Sequence, residues 1–82
     1  MNITVTIKDP CCENIIQIDR LQQIKAGLDI LQETGKTAYM GKPTFYKSEA
    51  LGMIVSAYLS FEDLGIYSGD ILSVIEGVKT NE

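Results

Sequence analysis

Few side chains in this chain are of a type and spacing that could do chemistry. The adjacent thiols of Cys11 and Cys12, the adjacent carboxylates of Glu62 and Asp63, and the triplet Gly35-Lys36-Thr37 are the candidates. The chain contains no histidine, which removes the usual general base and the usual partner of a nucleophilic serine or cysteine. Neighbouring cysteines close a disulfide only through a strained ring. With no second cysteine pair and no histidine, they cannot complete a tetrahedral metal shell either. Redox work would need a positive group to lower a thiol pKa, but Asp9 and Glu13 flank the pair and the nearest cation in sequence is Lys8. Adjacent carboxylates on a helical turn point to different faces and do not form an acid/base pair. A phosphate-binding loop requires a glycine five residues before Gly35, where the chain has Ile30. No catalytic, cofactor-binding or metal-ligating residue is assigned, and an enzyme is not expected.

The aromatic residues Tyr39, Phe45, Tyr46, Tyr58, Phe61 and Tyr67 could stack bases, but stacking platforms for single strands sit in basic grooves. Here the net charge is −4, which opposes binding to phosphate backbones and anionic membrane surfaces. Charge is unevenly spread, with Lys36, Lys42 and Lys47 in an acid-free stretch and Glu62, Asp63, Asp70, Glu76 and Glu82 in the last third. A solvated surface accounts for both. Nucleic acid is excluded as the expected partner, and core or protein-interface packing is expected of the aromatics. No apolar run reaches the roughly 20 residues that span a bilayer, and the start of the chain lacks a basic region followed by an apolar core. Free thiols in a turn suit a reducing compartment, so a cytoplasmic location without membrane insertion is expected. Asn2-Ile3-Thr4 fits a glycosylation acceptor only by accident in that setting.

These side chains must be held by a small set of elements. Residues 2–8 alternate, with Ile3, Val5 and Ile7 on one side, as a half-buried strand does. Asp9-Pro10-Cys11-Cys12 reads as a turn, and residues 13–19 as a second strand completing a hairpin. Asp19 is placed to cap a helix, with Gln22 reaching back, and Leu21, Ile24, Leu28 and Leu31 form one apolar stripe of a helix running to about Thr34. Gly35 is its expected stop. Gly27 inside it costs about 1 kcal/mol relative to Ala, so close packing must compensate. A loop over 35–43 leads to a strand at Thr44–Ser48, a short strand at Gly52–Ser56, a helical turn begun by Ser60, a tight turn at Ser68-Gly69-Asp70, and a strand at Ile71–Ile75.

An antiparallel hairpin, one crossing helix and further strands make an α+β fold, a β-grasp: a mixed four- to five-stranded sheet packed on one helix. The length allows one domain, assigned to residues 1–77, with 78–82 as a flexible tail. In the last strand Leu72 and Val74 should face inward and Ile71, Ser73 and Ile75 outward. In the third, Phe45 is taken as core and Tyr46 as its outward neighbour. Tyr46, Ile71, Ser73 and Ile75 are therefore the candidate protein-binding residues, an apolar patch on the open face of the sheet.

The opening Met1-Asn2-Ile3-Thr4-Val5-Thr6-Ile7, the Asp19–Thr34 segment and above all Leu59-Ser60-Phe61-Glu62-Asp63-Leu64-Gly65-Ile66-Tyr67-Ser68-Gly69-Asp70-Ile71-Leu72 resemble ubiquitin-like proteins. The likeness covers nearly the whole chain and is nearest to the bacterial YukD/EsaB-like group associated with type VII (ESX, WXG100) secretion. It implies a ubiquitin-like adaptor that is not conjugated and acts by binding another protein, such as a membrane-embedded secretion component or a regulator. The alternative is a β-grasp sulfur carrier or protein modifier serving an adenylating enzyme. Such proteins end in Gly-Gly, whereas this sequence closes Glu76-Gly77-Val78-Lys79-Thr80-Asn81-Glu82.

Overall fold

The computed structural model describes residues 1–75. Strand β1 (Asn2–Lys8) pairs antiparallel with β2 (Glu13–Asp19), helix α1 (Ile24–Glu33) follows, and then come β3 (Phe45–Ser48), β4 (Met53–Ser56), the one-turn α2 (Phe61–Leu64) and β5 (Ile71–Val74). The five strands form one sheet in the order β2-β1-β5-β3-β4. Its centre is the parallel pair of first and last strands, in register Thr6↔Ile71, Ile7↔Leu72 and Lys8↔Ser73. β3 runs antiparallel to both β5 and β4.

Alternation puts Ile3, Val5 and Ile7 of β1, Ile18 of β2, Leu72 of β5 and Val55 of β4 on one face. There they enclose a core with Ile24, Leu28 and Leu31 of α1. Burying such side chains contributes roughly 1.5–3 kcal/mol each, so the helix is held by its stripe and not by its own propensity. Gly27 lies at the closest approach. A Cβ there would stand 3.0 Å from Ile16 Cδ1 and 3.2 Å from Ile7 Cδ1. The missing side chain lets the helix settle onto the hairpin, the close packing that the sequence required.

The helix begins later than its stripe and cap signals suggest. Asp19 is the last residue of β2, paired with Asn2, and its Oδ1 accepts from Leu21 N–H at 2.9 Å in a turn that precedes the helix. Leu21 is correspondingly exposed and not part of the buried stripe. The hairpin ladder claims Asp19 first. The N-cap is Gln23, which makes no side-chain cap bond; instead the Ile24 and Lys25 N–H groups donate to the Leu59 and Ala57 carbonyls at 2.9 and 3.0 Å. Tertiary partners thus satisfy the orphan donors that a capping side chain would. The far end follows expectation: Gly35 takes φ +71°, and Gly35 and Lys36 N–H donate to the Gln32 and Leu31 carbonyls, a Schellman closure.

Segment 60–70 locks the last strand beside the first. Ser60 Oγ accepts from Asp63 N–H at 2.9 Å and Asp63 Oδ2 from Ser60 N–H at 3.5 Å, a reciprocal capping box. The turn so started drops Phe61 and Ile66 into the core. Gly69 N–H then donates to Thr4 O at 2.8 Å, and Thr6 N–H to Asp70 O at 3.0 Å. The Asp70 carboxylate, buried at 3% exposure, accepts from Ser48 Oγ at 2.6 Å, Ala50 N–H at 2.9 Å and Ile71 N–H at 2.7 Å. One side chain therefore ties the start of β5 to the end of β3. This is the ubiquitin-like β-grasp: a five-stranded mixed sheet grasping one helix. The expected boundary at residue 77 and the tail over 78–82 lie outside the described residues.

Candidate functional site

The residues with chemical potential occupy structural positions. Asp9 Oδ1 accepts from both Cys11 and Cys12 N–H at 2.8 and 2.9 Å and so closes the β1–β2 turn. Both cysteines are free. Cys12 Sγ contacts the Lys36 carbonyl at 3.5 Å and accepts from Asn14 Nδ2 at 3.3 Å, which joins the hairpin turn to the loop after α1. Glu62 pairs with Arg20 at 3.7 Å, whose guanidinium stands 5.7 Å above the Tyr67 ring. Among the described residues, no group of three or more His, Cys, Asp or Glu could hold a metal ion. No helix among the described residues is long and apolar enough to cross a membrane.

What remains is the sheet face turned away from α1. Cross-strand register assembles it in rows. One row reads Ile15, Thr6, Ile71; the next reads Glu13, Lys8, Ser73, Lys47, Ile54. A third brings Phe45 beside Ser56 and, through the bond from Ile75 N–H to Phe45 O at 3.2 Å, beside Ile75. Ile71 and Ile75 thus flank Ser73 along β5, Phe45 and Ile54 flank Lys47, and Lys8 borders Ser73 on the β1 side. Phe45 and Ile54 are 44% and 56% exposed, while Ile71, Ser73 and Ile75 are half-buried. Large apolar side chains grouped on one exposed sheet face often mark a partner surface on a small domain.

One of the four expected site residues does not belong to it. Tyr46 is wholly buried and Phe45 is the exposed neighbour, the reverse of the sequence expectation. The reason is parity on β3. Lys47 cannot be buried without a large desolvation cost, so it faces water, and Phe45, two residues away, must share its face. Tyr46 and Ser48 therefore face α1; Ser48 is tolerated there because its hydroxyl donates a hydrogen bond to the Asp70 carboxylate. Ile71, Ser73 and Ile75 lie on the expected side of the sheet. Phe45 and Ile54 were missed, though the Phe45-x-Lys47 spacing carried the signal for the first.

Burial pushes the Tyr46 hydroxyl pKa well up, with the Asp29 carboxylate adding to the effect. The hydroxyl is therefore a neutral donor at any ordinary pH.

No protein-family model and no curated protein matches this sequence. Solved structures do match its shape. A ubiquitin-like domain from Arabidopsis thaliana superposes with a TM-score of 0.68 at 15% identity, covering 99% of this chain and 84% of that one. The EccD5 ubiquitin-like domain from Mycobacterium xenopi superposes with a TM-score of 0.60 at 19% identity, covering 98% of this chain and 99% of that one. At such identities the likeness is one of fold, and the fold is ubiquitin-like.

Proposed function

We propose that this chain is a non-catalytic, non-conjugated ubiquitin-like adaptor that binds another protein through the outer face of its sheet. The observation that carries the reading is the grouping of Phe45, Ile54, Ile71 and Ile75 beside Ser73 and Lys47 on the face opposite the helix. Exposing that much apolar surface works against solubility unless a partner covers it. Phe45 supplies the aromatic anchor that protein interfaces favour, and Lys8 and Glu13 at one end of the row supply a polar rim. Against the modifier alternative, the seven glycines never adjoin, so these 82 residues hold no Gly-Gly pair for an adenylating enzyme to grip.

For the partner, two likenesses support a role in secretion. The Leu59–Leu72 segment resembles the YukD/EsaB-like group associated with type VII secretion, and the EccD5 domain of Mycobacterium xenopi shares the fold. We therefore read the chain as an accessory protein of a type VII apparatus, docking in the cytoplasm onto a component of it. A tagged capture from the source cell, comparing wild type with Phe45→Ala and Ile75→Lys, tests this. Both variants should stay folded and lose the same specifically retained protein. If both keep every partner, the sheet face is not the site. Transfer of AMP onto the chain by an adenylating enzyme would instead establish the modifier reading.

A further inference from the structure

On the helix side of the sheet, away from the adaptor face, a cleft of about 320 Å³ opens between α1 and the entrance to β3. Its walls are apolar where Leu28, Pro43 and Tyr58 line it, and polar where Lys25, Asp29, Lys42 and Tyr46 do. That volume is at the lower end of small-ligand sites and suits a single ring or a short chain. The loop on one side is held in place by Gln32, whose Nε2 donates to the Tyr39 and Gly41 carbonyls at 3.0 and 2.9 Å. The cleft is therefore built into the fold and is not a gap between loose segments.

Two features specify what it would take. Lys25 and Lys42 both pair with the one carboxylate of Asp29, at 3.6 and 3.3 Å; Lys42 also donates to Gln32 Oε1 at 2.8 Å. Two ammonium groups against one carboxylate leave a net positive charge and unused N–H donors. The second feature is the Tyr46 hydroxyl, fully buried and without a hydrogen-bond partner among the described residues. A buried hydroxyl in that state is costly and is expected to have a use. We propose that this cleft is a second binding site, taking a ligand group with a small apolar ring and a carboxylate. The ring lies against Leu28, Pro43 and Tyr58, and the carboxylate accepts from Lys25, Lys42 and the Tyr46 hydroxyl.

The test is an amide-resolved NMR titration of the whole chain with benzoate, benzyl alcohol, benzylamine and inorganic phosphate. A tripeptide ending in a free C-terminal phenylalanine serves as the arm for a partner's chain end. Saturable shifts confined to residues around Leu28, Asp29, Tyr46 and Tyr58 are expected with benzoate or the tripeptide, and whichever binds tighter names the source. Tyr46→Phe, which keeps the ring in the core, and Lys42→Gln should each weaken the binding about fivefold. Equal binding of benzylamine, benzyl alcohol or phosphate would overturn the proposal. So would the absence of saturable shifts, or unchanged affinity in Tyr46→Phe. Because none of these residues lies on the outer sheet face, failure here leaves the adaptor reading standing.

Discussion

Phe45 and Tyr46 are neighbours of nearly equal size on one strand, and truncating each to Ala should have opposite consequences. Tyr46 has no exposed surface and Phe45 is 44% exposed. Removing a fully buried large aromatic ring leaves a cavity and costs about 3–5 kcal/mol, since the lost transfer free energy and the void add. A chain of this length has on the order of 4–12 kcal/mol of total stability. Tyr46→Ala should thus lose at least about a quarter of that stability. For Phe45 no enclosed cavity forms and only part of the ring leaves contact, so about 1 kcal/mol is expected. Urea denaturation followed by circular dichroism measures both. With a slope of about 1–1.5 kcal/mol/M, the Phe45→Ala midpoint should fall by under roughly 1 M and the Tyr46→Ala midpoint by about 2 M or more. Equal losses, or the larger loss at Phe45, would refute the register assigned to β3 and with it the composition of the outer face.

Three further outcomes follow from the packing. Asp70→Ala removes the buried acceptor of three hydrogen bonds, two of which, from Ser48 and Ala50, tie the end of β3 to the start of β5; it should cost about 3–4 kcal/mol by the same assay, with the amides of Ala50 and Ile71 losing hydrogen-exchange protection. Gly27→Val sets two methyl groups beyond a Cβ already 3.2 Å from the wholly buried Ile7, so a loss of about 2 kcal/mol is expected despite the better helix former; a stabilised variant would show that α1 can lift off the hairpin. Ser60→Ala, which opens the capping box of α2, should lower stability by about 1 kcal/mol, read from the thermal midpoint.

Much of this fold could be read where local signals and tertiary demands agree. The alternation of β1, the Gly35 stop and the Ser60 turn each stand where the residues suggested, because no competing partner contests them. The start of α1 was misread because Asp19 offers two outcomes, a helix cap or a strand end with a turn. The choice is made by Asn2, the residue opposite it in the ladder. The true N-terminal donors are satisfied by the Ala57 and Leu59 carbonyls, more than thirty residues away, and nothing local to Gln23 announces that. At the candidate site, β5 was readable because Leu72 and Val74 alternate with Ser73. β3 was not, because Phe45 and Tyr46 are both aromatic and only the cost of burying Lys47 decides between them. The role of Cys12 in tethering the turn to Lys36 depends on a contact across 24 residues, which no spacing rule encodes.

The most direct test of the central claim is the affinity of the captured partner, measured by calorimetric titration for two charge-introducing variants on opposite sides of the molecule. Ile54→Lys puts a second ammonium beside Lys47 on the outer face, while Glu33→Lys alters the exposed end of α1. If the outer sheet face is the partner surface, Ile54→Lys weakens binding at least about tenfold and Glu33→Lys leaves it unchanged. Unchanged binding in Ile54→Lys together with loss in Glu33→Lys would contradict the account.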